Sequence, residues 1–313
     1  MILRATINTL KDLAAENGVF YDKVLLKRLV GNLHFAKFGQ KRNIPANSGT
    51  EISMRRFNSL APVTEPLTEG VTPDGEKYGV TDVRATLKQY GSYVTIADIL
   101  DMAGLDKNIT EMAEVLGEQA AESIDNVIKE EIFAGTTVQY AGDAAGRDAV
   151  TGKLTGTEVM KAVRTLRANK AKPVADGYYI GFIDPYCAYD LMNDPLWQDV
   201  SKYSNKENIE KGEIGKIHGV KFVDNTNSFV AGDVHGTLII GRDAYGIVDI
   251  EGSRKPKIMI HTAKEGGSAD PMEQRNTVAW KVFFAAKRLQ ELAMVRIETK
   301  VTEIGRASCR ERV

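Results

Sequence analysis

The sequence predicts an α+β fold, and three observations lead to this prediction. Apolar residues recur at helical spacing over 109–132, which predicts one long helix. Residues 50–60 and 80–96 alternate between apolar and polar side chains, as half-exposed strands do. The predicted strands and helices follow one another in a mixed order without a regular βαβ repeat, which favours α+β over a doubly wound sheet.

Composition and charge narrow the class of protein. The 313 residues are 43% hydrophobic and 27% charged, which is typical of globular domains. The net charge of -1 gives no sign of electrostatically driven nucleic-acid binding. We find neither a run of about 18 apolar residues nor a secretory signal pattern, so no membrane span is expected. The two cysteines, Cys187 and Cys309, suit a reducing compartment such as the cytosol.

The long helix is predicted to begin at Asn108 and to end near Gly135. Asn108 and Glu111 have the spacing of a capping box, and Gly135 supplies a stop. A helix of this length spans about 40 Å, which suits a structural strut better than a small core element. We expect its apolar stripe to pack on a strand around Trp280 and Phe284.

Residues 46–97 are predicted to form an extended β-hairpin with a wide tip. The tip, EPLTEGVTPDGEKYGVTD at 65–82, is polar and rich in glycine and proline. On the second strand, apolar residues alternate with polar ones: Val83, Ala85 and Leu87 against Arg84, Thr86 and Lys88. An isolated hairpin is only marginally stable in water, so this one must lie on its own domain or on another chain.

The remaining chain contains further helix and strand signals. Amphipathic helices are predicted within 1–17 and over 20–33, before a pattern break at GQKRNIPANSG. Thr155 with Glu158 predicts a second capping box, and Asp184 should cap a helix that begins at Pro185. Six segments read as strands: GYYIGFI, GVKFVDN, GTLIIG, KIMIHTA, NTVAWKVFFAAKRL and AMVRIETKV.

The motifs of common enzyme and metal sites do not occur in a usable form. GRDAVTGKL has five residues where a phosphate loop needs four, and Leu154 stands where that loop needs Ser or Thr. No histidine falls in a two-histidine helical motif, and no cysteine or acidic cluster has zinc spacing; the histidines are His34, His218, His235 and His261. The sequence therefore predicts no catalytic, cofactor or metal site, and favours an assembly protein with a projecting arm.

The order of these parts resembles the major capsid proteins of tailed phages, which have the Hong Kong 97 type fold. Four segments in the expected order are similar to the family of the coliphage N-four type. They are GFIDPYCAYDL at 181–191, GEIGKIHGVKFVDN at 212–225, GTLIIGRDAYGIV at 236–248 and SADPMEQRNTVAWKVFFAAKRL at 268–289. The resemblance runs from about residue 20 to residue 301.

The resemblance implies a division of the chain into arm, hairpin, spine, axial and peripheral parts. The expected segments are 1–45 for the N-terminal arm, 46–97 for the extended hairpin loop, 98–150 for the spine helix and peripheral domain, 151–254 for the axial domain and 255–302 for the returning peripheral strands. It also implies that the hairpin lies over a neighbouring subunit. The candidate contact residues are Gly70, Pro73, Gly75, Gly79, Arg84 and Lys88.

The same resemblance implies a virion protein that assembles in the host cytoplasm. Many copies would form hexamers and pentamers that close into an icosahedral head around double-stranded DNA, which the neutral chain would contact only weakly. Scaffolding, decoration and portal proteins are the other expected partners, with no cofactor and no catalytic residue. Two alternatives stay open: an encapsulin-like shell that loads protein cargo, and a soluble enzyme whose site these patterns do not reveal.

The last eleven residues, EIGRASCRERV at 303–313, differ abruptly in composition from the chain before them. They match the translation of a common sequencing adapter in one reading frame. In that frame, the next codon of the adapter is a stop codon. We therefore expect this segment to be non-native, which would leave Cys309 without redox meaning.

Deleting residues 303–313 should leave the free energy of unfolding within about 0.5 kcal/mol of the parent value, because changes away from structural features rarely cost more. Urea denaturation of the two chains measures this difference. A loss of several kcal/mol, or a loss of assembly, would show that the segment is a genuine part of the protein.

Overall fold

The computed structural model describes residues 33–45, 49–57, 60–67, 69–70, 72–103, 108–174, 177–197, 213–250, 256–262 and 271–302. The helices predicted within 1–17 and over 20–33, and the segment 303–313, lie outside these ranges except for Leu33. The strands are β1 Gln40–Ile44, β2 Glu51–Phe57, β3 Val80–Thr86, β4 Lys88–Ala97, β5 Val138–Tyr140, β6 Tyr179–Ile183, β7 Glu213–Ile217, β8 Val220–Asp224, β9 Phe229–Ala231, β10 Val234–Ile240, β11 Tyr245–Ile250, β12 Lys257–His261, β13 Arg275–Arg288 and β14 Met294–Lys300. The α-helices are α1 Asp98–Ala103, α2 Asn108–Phe133, α3 Gly156–Ala168 and α4 Pro185–Met192.

The smaller of the two main sheets is organised around the long strand β13. Strand β4 runs antiparallel to it along one edge, from the pair Arg275–Ala97 to the pair Phe284–Lys88. The opposite edge is divided between two strands, since β12 pairs with residues 277–281 and β11 with residues 284–288. Strand β1 extends the sheet as the parallel partner of β11.

Helix α2 packs its apolar stripe against this sheet. The predicted continuous helix from Asn108 is confirmed, since α2 runs without a break to Phe133. Its buried apolar residues follow helical spacing: Ala113, Leu116, Ala120, Ala121, Ile124, Ile128 and Ile132. Trp280 and Phe284 lie in the same core, as predicted, and the Trp280 indole N–H donates to the side-chain oxygen of Gln119 at 3.1 Å.

The larger sheet has the strand order β5-β14-β10-β6-β8-β7, with β9 beside β10. Its strand β6 is buried along its whole length, which explains the continuous apolar run of this segment. Both predicted helix starts are confirmed: the Thr155 side chain accepts from the Glu158 N–H before α3, and the Asp184 side chain accepts from the Tyr186 N–H, with Pro185 opening α4.

A buried charged cluster joins the end of α2 to the larger sheet. Glu298 of β14 is fully buried and accepts two hydrogen bonds from the Arg147 guanidinium, each 2.8 Å long. Arg296 reaches the same carboxylate at 2.9 Å and donates to the Phe133 carbonyl. Both guanidinium groups lie over the Phe229 ring, 5.1 and 4.9 Å from its centroid. A buried carboxylate is costly unless it is well paired, so these contacts hold helix and sheet in one arrangement.

Asp125, in the middle of α2, holds the first described residues of the chain. Its Oδ2 accepts the His34 backbone N–H at 2.6 Å, and the N–H groups of Phe35 and Ala36 also favour its charged form. Phe35 is fully buried, and its carbonyl accepts a hydrogen bond from the Tyr245 hydroxyl. Burial is the larger effect and raises the pKa of Asp125 to about 6.

The structure corrects the predicted second strand of the hairpin. The pattern predicted one strand over 80–96, whereas β3 ends at Thr86 and β4 begins at Lys88. Strand β3 pairs with β2 in a separate two-stranded sheet, and β4 pairs with β13. Leu87 lies between them, with its side chain buried and its N–H donating to the Thr50 carbonyl at 2.8 Å. The chain therefore changes sheets at this residue.

Two further features depend on pairing between distant segments. The segment GQKRNIPANSG was predicted only to interrupt the helical pattern. Strand β1 forms inside it because β11 supplies a parallel partner. Strand β11, from the predicted segment 151–254, joins the smaller sheet, and β14, from 255–302, joins the larger one. The division of the chain into domains remains a prediction. Within the described ranges, no helix has the length and apolar character needed to cross a membrane.

Replacing Ile128 with Asp should lower the free energy of unfolding by more than about 4 kcal/mol, because it puts an unpaired charge into the core. Ile128 is fully buried, whereas Val115 on the same helix is 50% exposed. Val115→Asp is therefore the matched control and should cost less than about 1 kcal/mol. Urea denaturation measures both variants. Wild-type-like stability of Ile128→Asp would contradict the packing of this face.

Replacing Asp125 with Asn tests the buried carboxyl group. Folding raises the pKa of Asp125 from 3.8 to about 6, so the folded state binds the proton more tightly than the unfolded state does. The stability of the parent relative to the variant should therefore grow as the pH falls from about 6 toward 3.8, and be constant above that window. Urea titrations across this range give the difference. A difference that does not change with pH would rule out the raised pKa.

Candidate assembly surface

The hairpin of β2 and β3 packs on the subunit through the half nearer its base, up to Met54 and Val83, as far as the described residues show. The two strands pair from Glu51–Thr86 at the base to Phe57–Val80 at the far end. Met54 and Ala85 are buried in a small satellite core, whose other buried members are Ile44, Leu87, Val248 and Ala285. Beyond these contacts, both strands expose most of their side chains.

The far end of the hairpin exposes large apolar side chains. Phe57 and Tyr78 are 67% and 68% exposed, and their ring centroids lie 5.9 Å apart. Leu60, Val63 and Leu67 of the connecting segment are exposed as well. We call these five residues the tip surface. Neighbouring apolar side chains left in solvent are typical of interaction surfaces, whereas single ones are normal anywhere on a protein.

The six residues predicted to contact a neighbouring subunit are all exposed: Gly70, Pro73, Gly75, Gly79, Arg84 and Lys88. Gly70 has φ 80°, a left-handed conformation that favours glycine at this turn. Arg84 lies on β3 and Lys88 on β4, so they belong to different sheets and not to one strand as predicted. Arg84 and the four tip residues therefore lie on the projection, and Lys88 lies where it meets the subunit.

A second group of side chains, with atoms of the kinds that bind metal ions, lies inside the subunit between α4 and the larger sheet. Asp184, Cys187 and His235 bring a carboxylate oxygen, a thiol sulfur and an imidazole nitrogen within 4.8 Å of one another. The Asp184 Oδ2 lies 2.9 Å from the His235 Nδ1. The Cys187 Sγ lies 3.4 Å from the Thr299 hydroxyl. We call these three residues the Asp–Cys–His cluster.

Sequence reasoning missed this cluster because its members are distant in the chain. Asp184 and His235 are separated by 51 positions, and only the packing of α4 on β10 brings them together. The signal that could have found it is Cys187 in the first turn after the Asp184 cap, which puts both side chains at one end of a helix.

Burial, together with the nearby charge of Asp184, raises the pKa of the Cys187 thiol to about 11, although the Thr299 hydrogen bond acts in the other direction.

The architecture matches that of solved capsid structures. The capsid of Ralstonia phage GP4 matches with a TM-score of 0.70 and 14% identity, over 88% of this chain and 93% of that chain. The head of Helicobacter pylori bacteriophage KHP40 matches with a TM-score of 0.66 and 14% identity, over 86% and 91%. The virus-like particle from Pyrococcus furiosus matches with a TM-score of 0.55 and 11% identity, over 90% and 99%. The fold therefore defines the class of the Hong Kong 97 type capsid proteins, as predicted.

Sequence comparison takes the identification one step further. The family model described as phage capsid protein matches residues 80–297, which is more than half of the chain. The chain belongs to the phage capsid protein family and is a structural protein of the phage virion. A search of the curated proteins gives no match.

Proposed function

We propose that this capsid protein is the subunit that forms the hexamers and pentamers of an icosahedral phage head, and that its hairpin lies over a neighbouring subunit to hold them together. The observation that carries this proposal is the tip surface, where Phe57 and Tyr78 are exposed at the end of a two-stranded projection. Assembly would take place in the host cytoplasm, and the shell would enclose double-stranded DNA.

The physical reason for a neighbouring chain is that the hairpin is incomplete by itself. A two-stranded sheet leaves unpaired backbone groups along its edges, and such edges are normally covered. Burying an aromatic side chain against a neighbour contributes about 1.5–3 kcal/mol relative to leaving it in water. When the tip surface packs on an adjacent subunit, its apolar side chains leave water, and this burial stabilises the contact between the two subunits.

Arg84 and Lys88 would serve the same contact through charge. Both are exposed, and exposed ion pairs contribute only about 0–1 kcal/mol each. Their effect would be multiplied over the many equivalent interfaces of a shell. Gly70, Pro73, Gly75 and Gly79 would give the connecting segment the turns that it needs to follow the neighbouring surface.

The net charge of -1 supports weak contact between the shell and the enclosed DNA. A head that is filled after assembly does not need a coat protein that binds DNA tightly, and a strongly cationic inner surface would hinder movement of the DNA. Scaffolding, decoration and portal proteins are the further partners that we propose, because closed heads of this class commonly need them.

The encapsulin-like alternative has less support. The Pyrococcus furiosus virus-like particle matches with a TM-score of 0.55, against 0.70 for the capsid of Ralstonia phage GP4. The family match is to phage capsid protein. The neighbouring genes separate the two alternatives: portal and terminase genes would accompany a phage head, and a cargo enzyme would accompany a nanocompartment.

Replacing residues 65–79 with a short glycine-containing turn should abolish shell formation without unfolding the subunit. The replacement leaves the base of the hairpin intact, including the buried Met54 and Ala85. Thermal unfolding of the purified chain measures folding, and electron microscopy of the same sample measures assembly. An unfolded product would show that the hairpin belongs to the core of its own subunit, and normal closed shells would show that the tip is dispensable.

The point variants Phe57→Ser and Phe57→Leu form a matched pair for the tip surface. Both change a side chain that is 67% exposed, so neither should shift the melting temperature of the free subunit appreciably. The serine variant loses the apolar contact and should assemble poorly, whereas the leucine variant keeps it and should form shells. Equal assembly of the two would mean that this side chain does not contact a neighbour.

A further inference from the structure

We propose that Asp184, Cys187 and His235 form a buried binding site for a divalent transition-metal cation of the zinc class. Carboxylate oxygen, thiolate sulfur and imidazole nitrogen are the donors with which proteins bind zinc. All three donors converge on one point between α4 and the larger sheet. This proposal does not depend on the proposed role of the hairpin.

The fold holds the three donors on separate, rigid supports. Asp184 caps the N-terminus of α4, and Cys187 lies in its first turn with its side chain fully buried. His235 lies on β10, directly opposite Thr299 of β14. An ion at this point would join the start of a helix to the middle of a sheet. Sites built on helices and strands keep their donors in place better than sites built on loops.

The spacing of the donors suits a tetrahedral ion. With bonds of about 2.0–2.3 Å, neighbouring ligand atoms around zinc lie about 3.3–3.6 Å apart. The donor atoms of the cluster lie within 4.8 Å of one another, with 2.9 Å between Asp184 and His235. Side-chain rotations that move the atoms by about 1 Å would bring all three to bonding distance.

The charge of the cluster suits a divalent cation. Binding would release the Cys187 proton to solvent, leaving one thiolate, one carboxylate and one neutral imidazole around the ion. The two negative charges would balance the charge of the cation, so the buried assembly would be neutral. In the described part of the chain, no lysine or arginine forms an ion pair with Asp184, and its carboxylate contacts His235 instead.

The surroundings of His235 offer room for a water molecule as a fourth ligand. A cavity of about 190 Å³ is lined by His235, Tyr186 and Thr302 among others, so it reaches the His235 side of the cluster and has room for water. The hydroxyl of Thr237 is fully buried and faces the Cys187 thiol, which it can reach by a hydrogen bond. It lies two residues after His235 on the same face of β10, and close enough to Cys187 to influence its thiol.

The competing interpretation is that Asp184 and His235 form a hydrogen-bonded pair that only supports the helix cap. That pair alone would account for the 2.9 Å contact. It would not bind a metal through sulfur, so spectroscopy of the sulfur–metal bond separates the two interpretations.

Cobalt is the probe for the test, because Co²⁺ replaces zinc and gives a thiolate-to-metal charge-transfer band. The full chain is purified without a histidine tag, treated with chelator, and titrated with Co²⁺. We expect the band to saturate at one equivalent and to be lost when Zn²⁺ is added. A folded chain that gives no charge-transfer band would overturn the proposal.

The chain contains its own control, since Cys309 is its other cysteine. Cys309→Ser should keep the band, and Cys187→Ser should abolish it. The opposite result would place the bound metal on Cys309 and overturn the proposal. His261→Gln is the corresponding control for His235→Gln, since His261 is exposed on β12.

Asp184→Asn is a variant that removes a metal ligand and should still fold. Asparagine caps helices as well as aspartate does, so α4 should keep its start and the variant should fold. It removes the anionic ligand and should weaken Co²⁺ binding more than about tenfold, since even residues that only support metal ligands cost 10–100-fold when changed. Zn²⁺ should also raise the melting temperature of the parent more than that of this variant. Equal affinities and equal stabilisation would mean that Asp184 is a cap and not a ligand.

Discussion

The contact between helix α2 and strand β13 is the constraint on which the rest of the subunit depends. Alternate residues of β13 face inward from Asn276 to Phe284, which matches the apolar stripe of the helix. Because β13 pairs with β4 on one edge and with β11 and β12 on the other, every strand added to the smaller sheet takes its position from this one. The packing of this long strand on the long helix therefore fixes the arrangement of the smaller sheet.

Polar contacts position the segments that do not take part in the apolar contact between α2 and β13. The carboxylate of Glu298, held by Arg147 and Arg296, joins the end of α2 to the larger sheet. Asp125, in the middle of α2, holds the chain at His34. Just after β14, the backbone N–H of Thr302 donates to Asp190 of α4 at 3.0 Å. Each of these carboxylates is buried and accepts hydrogen bonds, which offset the cost of removing it from water.

Under the proposed function, folding and assembly use different parts of the molecule. The core is shared between both sheets and the helices, whereas the hairpin contributes only its base to a small satellite core. The tip surface lies outside both cores, so its aromatic residues are available for the contacts with a neighbour that we propose. This separation is what a coat subunit requires, since it must fold first and associate afterwards.

The sequence by itself determined the elements whose signals are local. The apolar stripe of α2, the caps at Thr155 and Asp184, and the alternation at Ala85 and Leu87 each depend on neighbouring residues, and so they could be predicted. Similar local patterns in the right order were sufficient for the capsid fold. Only the tertiary structure decided which strands pair, because pairing depends on distant partners: β1 needs β11, and the chain leaves one sheet for another at Leu87. The same reason explains why the sequence did not predict the Asp–Cys–His cluster. Its members meet only when α4 packs on β10, and the spacing of residues along the chain does not show which side chains meet in space.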